Sequence, residues 1–166
     1  MTITKIEDLN QIREKHKDQK VVFCSGSFDL THLGHILFFE DCKNLGDVLV
    51  VAVGDDYSIR SLKGVNRPIL NQHVRLKTID SLKPVDYTLL NTISLDDVFC
   101  DLEKMLNNLK PDTYVINEDA FDIDKRKELC ERYNINLKIL ERFCPAEYES
   151  ISTTSIIQRV IKAYSK

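Results

Sequence analysis

Residues 21–35 read VVFCSGSFDLTHLGH, and this stretch decides the fold prediction. Its first four residues are apolar and rich in β-branched side chains, which is typical of a buried strand. Gly26 interrupts the apolar run. From Leu33 to Leu45 the apolar residues recur at helical spacing, and Gly46 follows as a helix stop signal. The stretch therefore predicts a strand, a tight turn and a helix in succession.

The same alternation of strands and helices continues along the chain. Further strands are predicted at residues 48–53, 85–90, 113–116 and 137–140, and helices at residues 6–16, 33–45, 73–82, 95–109, 124–133 and 153–164. Residues 54–71 form a polar stretch that predicts a functional loop with at most one helical turn. Apolar strands alternating with helices predict an α/β, Rossmann-like, doubly wound parallel five-stranded sheet with helices on both faces. We find no linker or repeat, so residues 1–166 are expected to form a single domain.

Composition narrows the class of protein. The 166 residues are 43% hydrophobic and 30% charged, and the net charge is −3. This composition is globular and argues against a broad nucleic-acid surface, and no apolar run is long enough to predict a membrane span. The five cysteines are widely spaced and odd in number, which fits free thiols in a reducing compartment. We expect a cytoplasmic protein that binds neither nucleic acid nor membrane.

The turn after the first long strand carries the strongest functional signal. In open α/β sheets, ligands bind at the carboxyl ends of the strands. Gly26 lets a ligand approach the backbone, and the start of the next helix offers free amides to an anion. His32 and His35 are three residues apart and share a helix face, so both imidazoles can contact one oxyanion. Gly34 between them leaves room for a phosphate. Helix capping or a plain surface position is the main alternative for the histidines, and a metal pair, with Asp29 as its third ligand, is a lesser one.

The His-x-Gly-His motif in this setting resembles the signature of the cytidylyltransferase-like nucleotidylyltransferases. Residues 20–29, residues 62–69, Arg75 and residues 85–87 resemble the adenylyltransferase domain of bacterial heptose 1-phosphate enzymes. Residues 151–154 (Ile-Ser-Thr-Thr) are similar to the second family signature, which contacts the triphosphate. Glycerol 3-phosphate cytidylyltransferases share both signatures but match residues 63–69 less well. The resemblance covers nearly the whole chain.

The resemblance implies roles for individual residues. His32, His35 and Lys63 are implied to be catalytic, because they would hold and neutralise the reacting phosphates. Nucleotide-binding roles are implied for Gly26, Ser27, Phe28, Gly34, Asn117, Ser152, Thr153 and Thr154. Roles in binding the acceptor or a phosphate are implied for Asp29, Arg67, Arg75 and Arg142. Mg²⁺ is the expected cofactor, held mainly by the nucleotide, and a homodimer is possible.

One loop departs from the family pattern. Residues 117–121 read Asn-Glu-Asp-Ala-Phe where the heptose enzymes carry Lys-Gly-Gly-Asp-Tyr. Because nucleotide and acceptor meet at this loop in the family, both the base and the acceptor stay open. The first hypothesis is transfer of a nucleoside monophosphate, with AMP favoured, from a nucleoside triphosphate to a sugar phosphate resembling heptose 1-phosphate, with release of pyrophosphate. The alternatives are a CTP-dependent enzyme acting on glycerol phosphate or another small phosphorylated acceptor, a non-catalytic nucleotide sensor, and a metal hydrolase or redox protein using Cys24 and the histidines.

Overall fold

A computed structural model describes residues 2–92 and 97–165. The strands are β1 Thr2–Ile3, β2 Val21–Gly26, β3 Val48–Gly54, β4 Tyr87–Asn91, β5 Thr113–Asn117 and β6 Asn136–Leu140. A 3₁₀ helix at Ile6–Asp8 precedes the helices α1 Leu9–Lys15, α2 Leu33–Lys43, α3 Asp56–Lys63, α4 Gln72–Asp80, α5 Cys100–Leu109, α6 Ile123–Arg132 and α7 Thr153–Tyr164. None of the helices in the described ranges is both long and apolar enough to cross a membrane.

The strands form one parallel sheet in the order β1-β4-β3-β2-β5-β6. From β2 the chain first builds outward through β3 and β4, then crosses to the other side of β2 for β5 and β6. The strand order therefore reverses beside β2, which is where ligands bind in such sheets. The predicted α/β class and its five parallel strands are confirmed. The two-residue strand β1, which pairs with the edge of β4, was not predicted.

Two apolar cores cover the two faces of the sheet. One contains Phe23, Val50, Tyr114 and Leu129 and packs against α1, α5 and α6, and the other contains Val22, Val51, Phe39 and Ile79 and packs against α2 and α4. All seven residues of β3 are buried, because a central parallel strand is covered on both faces. This explains why its sequence is an unbroken apolar run.

The polar stretch at residues 54–71 contains an eight-residue helix, α3, where at most one turn was expected. The Asp55 side chain caps α3 by accepting a hydrogen bond from the backbone N–H of Ser58 at 2.8 Å. Gly64 ends α3 with φ at +94°, a conformation that suits glycine. The predicted start of the helix at Leu95 lies outside the described residues, and α5 is described from Cys100.

Arg75 is a fully buried residue of α4 that binds only protein groups. Its guanidinium donates hydrogen bonds to the carbonyl oxygens of Leu70, Ser27 and Gly54 at 2.6–2.8 Å, and its Nη2 pairs with Asp56 at 2.8 Å. This geometry corrects the expectation that Arg75 contacts a phosphate. Its charge is compensated inside the protein, and it ties α4 to the carboxyl ends of β2 and β3.

We predict that Arg75→Met lowers the free energy of unfolding by about 3–5 kcal/mol, because three carbonyl oxygens and Asp56 lose their buried partner. Urea denaturation followed by circular dichroism measures the change. Arg60→Met is the matched control, because Arg60 is exposed on α3 and should change stability by less than about 0.5 kcal/mol. If Arg75→Met lowered the free energy of unfolding no more than Arg60→Met does, the buried hydrogen bonds of Arg75 would not contribute to stability.

Candidate active site

A cleft of about 850 Å³ lies over the carboxyl ends of β2 to β5. It brings together nearly all of the site residues expected from the sequence. Those lining it are Gly26, Ser27, Phe28, Asp29, His32, Gly34, His35, Lys63, Arg67, Asn117, Arg142, Ser152, Thr153 and Thr154. Arg75 does not line the cleft. The segments involved are distant in sequence and meet only because the parallel strands end at one edge of the sheet.

The two histidines face each other at the start of α2. Their ring centroids are 4.0 Å apart and the rings are inclined by 27°. His32 is the N-cap of α2, and its Nδ1 accepts a hydrogen bond from the backbone N–H of Gly34 at 3.1 Å. Because Nδ1 is an acceptor, the neutral ring carries its proton on Nε2. His35 packs edge-on against Phe28, with ring centroids 5.5 Å apart.

The environment of both imidazoles favours the neutral ring. Burial, followed by the charges of His32, Arg142 and Lys63, lowers the pKa of His35 to about 3, against a smaller opposite effect of Asp29. Burial, followed by the charge of Arg142, also lowers the pKa of His32. The Nδ1 of His35 is buried and has no hydrogen-bond partner in the described part of the chain. This unsatisfied atom indicates a site that is completed by a ligand or by water.

The two glycines of the turn are required by neighbouring protein atoms. A Cβ on Gly26 would lie 2.8 Å from the ring of Phe28. A Cβ on Gly34 would lie 3.1 Å from the His32 ring and 3.3 Å from the carbonyl oxygen of Ile151. From the sequence we expected a ligand to occupy the space beside Gly26 and Gly34. In the structure, protein atoms occupy that space. Gly34 therefore allows the segment before α7 to approach the start of α2.

Asp29 is buried at the centre of the cleft wall, with only 1% of its surface exposed. Its carboxylate accepts hydrogen bonds from Arg67 at 3.1 Å and from the backbone N–H groups of Ile69 and Leu70 at 2.8 and 3.0 Å. Thr153 donates its hydroxyl to the backbone carbonyl of Asp29 at 2.9 Å. Because the carboxylate is buried and both of its oxygens accept hydrogen bonds, Asp29 holds Arg67 and the backbone of residues 69–70 in position.

Four basic side chains line the cleft, and three of them, Lys63, Arg67 and Arg142, come from the segments that follow β3 and β6. Lys63 is the last residue of α3, and burial, followed by the nearby charge of Arg67, lowers its pKa. Arg67 pairs with Asp29 at 3.0 Å, and Arg142 follows β6 and pairs with Asp119 at 2.6 Å. Lys63 has no ion-pair partner within the described residues. Lys63 therefore brings an unpaired positive charge to the cleft of an acidic chain, which suits a triphosphate.

The start of α7 faces the histidine turn, and part of its hydrogen-bonding capacity is already used. Ser152 caps α7 by accepting from the backbone N–H of Ser155 at 3.1 Å. The hydroxyl of Thr153 bonds to Asp29, whereas the hydroxyl of Thr154 has no partner in the described residues. The Thr153 hydroxyl is thus engaged by the protein, whereas the hydroxyl protons of Ser152 and Thr154 and the amides at the helix start remain available to an anion.

The donor set of the cleft fits Mg²⁺ that arrives with the nucleotide. Within residues 2–92 and 97–165, no group of three or more His, Cys, Asp or Glu side chains is arranged to hold a metal ion. Among the lining carboxylates, Asp29 accepts hydrogen bonds from protein donors and Asp119 pairs with Arg142. Mg²⁺ commonly keeps several waters and binds substrate phosphates with one or two carboxylates.

Several lining residues were missed at the sequence level. They are Ser58, Asn91, Phe99, Phe121 and Arg126. The side-chain oxygens of Ser58 and Asn91 are buried and lack hydrogen-bond partners in the described chain. Asn91 ends β4, and attention to every strand end would have found it. The other four lie on helices or loops whose proximity to the cleft depends on tertiary packing.

The lowered pKa of His35 predicts acid sensitivity. Below about pH 6.5 the unfolded chain binds a proton at this residue, but the folded protein does not until about pH 3. Stability therefore falls as the pH drops through this window, by at most about 1.4 kcal/mol per pH unit. We predict that His35→Gln flattens the dependence of unfolding free energy on pH between 6.5 and 4.

Urea unfolding at half-unit pH steps measures this slope for the wild-type protein and the variant. His73→Gln is the control, because His73 is exposed on α4 outside the cleft and its replacement should leave the slope unchanged. A slope in His35→Gln as steep as in the wild-type protein would contradict a neutral, buried His35.

Comparison with known proteins identifies the family. The cytidylyltransferase-like family model matches residues 23–159. Bifunctional protein HldE of Helicobacter acinonychis is 35% identical over 164 residues, which cover 98% of this chain and 32% of HldE. FAD synthase of Aciduliprofundum boonei is 33% identical over 141 residues, which cover 84% of this chain and 89% of that enzyme. The chain thus spans about a third of the HldE relatives that it matches.

A solved structure shows the same fold. The crystal structure of the lipopolysaccharide core biosynthesis protein from Thermoplasma volcanium has a TM-score of 0.62 and 31% identity, covering 76% of this chain and 98% of that one. The family match also agrees with the paired histidines, the glycine turn and the Ile-Ser-Thr-Thr segment around one cleft. This chain therefore belongs to the cytidylyltransferase-like family of nucleotidyl-transferring enzymes.

Proposed function

We propose that this chain transfers a nucleoside monophosphate, AMP by preference, from a nucleoside triphosphate to a sugar phosphate resembling heptose 1-phosphate, and releases pyrophosphate. The observation that carries the proposal is the stacked pair His32 and His35 at a helix start, in one cleft with Lys63 and the start of α7. This arrangement offers neutral N–H donors, backbone amides and a cation to a chain of phosphates. It contains no nucleophile with an adjacent base, so a covalent enzyme intermediate is not part of the proposal.

The reaction is an in-line displacement at the α-phosphorus. An oxygen of the acceptor phosphate forms the new bond to phosphorus, and the bond from the α-phosphorus to the oxygen bridging to the β-phosphate breaks. The electron pair of that bond leaves on pyrophosphate. Since the attacking phosphate is already an anion, no proton has to be removed from it. The protein contributes position and charge stabilisation.

The neutral histidines suit this chemistry as hydrogen-bond donors. His32 carries its proton on Nε2 because its Nδ1 accepts from Gly34, so Nε2–H is available to a phosphate oxygen. The positive charge comes from Lys63, Arg67 and Arg142, which surround the histidines. Bound Mg²⁺ would supply further neutralisation of the phosphates. A bound triphosphate would raise the pKa of both imidazoles, because an opposite charge favours the protonated ring.

Two lines of support favour ATP. Residues 62–69 resemble the corresponding segment of heptose 1-phosphate adenylyltransferase domains, and several relatives are HldE proteins. Two further relatives are FAD synthases, whose named product contains an adenylyl group. The acceptor is proposed from the HldE resemblance alone. Because the chain spans only part of HldE, the activity of any longer protein is a proposal too.

A CTP-dependent reaction is the second candidate. The family model that matches residues 23–159 is described as cytidylyltransferase-like, and glycerol 3-phosphate cytidylyltransferases share the two signature segments. The loop at residues 117–121 differs in sequence from that of the heptose enzymes. Four of its residues line the cleft: Asn117, Asp119, Ala120 and Phe121. The two candidates differ in the base and the acceptor but not in the chemistry.

A grid of substrates tests the proposal. ATP, CTP, GTP and UTP are each combined with sugar 1-phosphates, including a heptose 1-phosphate, and with glycerol 3-phosphate, and pyrophosphate release is measured with Mg²⁺ present. We expect the highest kcat/KM with ATP and a sugar 1-phosphate. A preference for CTP with glycerol phosphate would favour the second candidate. Nucleotide binding without pyrophosphate from any combination would contradict both and support a sensor.

We predict that His35→Ala lowers kcat/KM by roughly 10²-fold or more, in line with the loss of one preorganised donor to the developing charge. The pyrophosphate assay with the best substrate pair measures it. His73→Ala serves as the control, because this exposed residue is remote from the cleft lining, and its activity should stay within twofold of wild type. If His35→Ala also stays within a few-fold, the histidine pair does not contact the reacting phosphates.

A further inference from the structure

Arg126 extends from α6 into the cleft along a wall formed by the aromatic residues Phe99, Tyr114 and Phe121. Its Nε donates a hydrogen bond to the carbonyl oxygen of Phe121 at 2.8 Å, and its Nη1 bonds to the hydroxyl of Tyr114. The guanidinium carbon lies 5.4 Å from the ring centroid of Phe99 and 5.8 Å from that of Tyr114. These contacts hold the side chain in one orientation. A fixed guanidinium that lines a cleft is preorganised to bind an anion.

The positive charge of Arg126 is not neutralised by the protein. Arg67 and Arg142 each pair with a carboxylate, whereas no carboxylate in the described residues lies within ion-pair distance of Arg126. Its Nη2 makes no hydrogen bond within the described chain, so two N–H donors are free. Arg126 is only partly buried, which keeps these donors accessible. The side chain therefore offers a charge and a donor pair to a ligand.

The proposed reaction contains two anions, and the cleft contains two positive regions. The histidine turn, Lys63, Arg67 and the start of α7 form the first region and suit the triphosphate. Arg126 lies on α6, beside β5, and forms the second region. Resting on the proposed function, we propose that Arg126 binds the phosphate group of the acceptor and that Phe99 and Phe121 pack against the acceptor's carbon skeleton.

The two phenyl rings support an organic acceptor over free phosphate. The rings of Phe99 and Phe121 are nearly parallel, inclined by 11°, with centroids 6.1 Å apart. Phe121 is 53% exposed although it lines the cleft. An exposed aromatic ring beside a free cation suits a ligand that has both an apolar face and an anionic group. A phosphate monoester of a sugar or polyol, with its C–H faces and its phosphate, has this chemistry.

The loop at residues 117–121, whose sequence differs from that of the heptose enzymes, contributes Phe121 to the same wall. Phe121 ends the segment that departs from the heptose enzymes, and its carbonyl oxygen is the partner of Arg126 Nε. The loop and α6 thus form one unit in which Phe121 and Arg126 are held together. The departure changes the acceptor side of the cleft, while His32, His35 and Lys63 on the nucleotide side keep the family pattern.

Steady-state kinetics with the best substrate pair tests the assignment. We expect Arg126→Met to raise the KM of the acceptor by about 10- to 100-fold, the loss of a charge-assisted hydrogen bond, and to leave the KM of the nucleoside triphosphate within threefold. Arg126→Lys should restore only part of the acceptor affinity, because lysine keeps the positive charge but cannot donate two parallel hydrogen bonds as a guanidinium does. Lys127→Met is the matched control: it removes a neighbouring, exposed cation of α6, and both KM values should stay within twofold.

Two outcomes would overturn the inference. A rise in the KM of the nucleotide equal to that of the acceptor would place the nucleotide at Arg126, and an acceptor KM within twofold of wild type would leave Arg126 without a binding role. Circular dichroism establishes that each variant is folded. If Arg126→Met does not fold, Phe121→Ala replaces it, since its exposed ring can be removed with little loss of packing, and the same rise in acceptor KM is required.

A binding experiment separates this inference from the proposed function. Titration of the wild-type protein with inorganic phosphate, followed by ³¹P NMR, should reveal two sites. Arg126→Met should abolish one site, and Lys63→Met should weaken the other. If no substrate pair releases pyrophosphate but the Arg126 site is present, the proposed function fails and the anion site stands. If Arg126→Met retains both sites, the inference fails whatever the activity.

Discussion

A buried carboxylate holds the cleft together. Asp29, just beyond β2, accepts hydrogen bonds from Arg67, Ile69 and Leu70, and its backbone carbonyl accepts one from Thr153. Three segments that are far apart in sequence are thereby fixed around the histidine turn. A buried charge is tolerated only when it is paired and hydrogen-bonded, so this network also constrains where Arg67 and α7 can lie. The geometry that we propose for phosphate binding depends on this network.

The cleft contains both neutral hydrogen-bond donors, the two histidines, and positively charged side chains. His32 and His35 are desolvated and lie close to Arg142 and each other, which lowers their pKa values and keeps both rings uncharged. Lys63, Arg67 and Arg142 provide the charge from separate elements. A neutral pair of rings avoids the repulsion that two adjacent imidazolium ions would have.

The sheet was predictable because its central strands are covered on both faces and must be apolar throughout. The runs in β2 and β3 carried this signal clearly. The edge strand β1 has two residues and pairs on one side only, so no periodicity revealed it. Helix α3 was missed because it is short and polar, with Ser58 and Ile59 as its buried residues. Its local signals, the cap Asp55 and the stop Gly64, were present but weak.

The sequence by itself determined the fold class, the strand-to-helix turn with its paired histidines, and the residue types that bind phosphate, because these depend on local spacing and on the geometry of parallel strands. Only the tertiary structure decided which charges are free. Arg75 and Arg126 are both arginines on helices near the cleft, yet the first is fully paired inside the protein and the second keeps two donors unused. Whether a cation has a partner depends on contacts between distant segments, and no local pattern encodes those contacts.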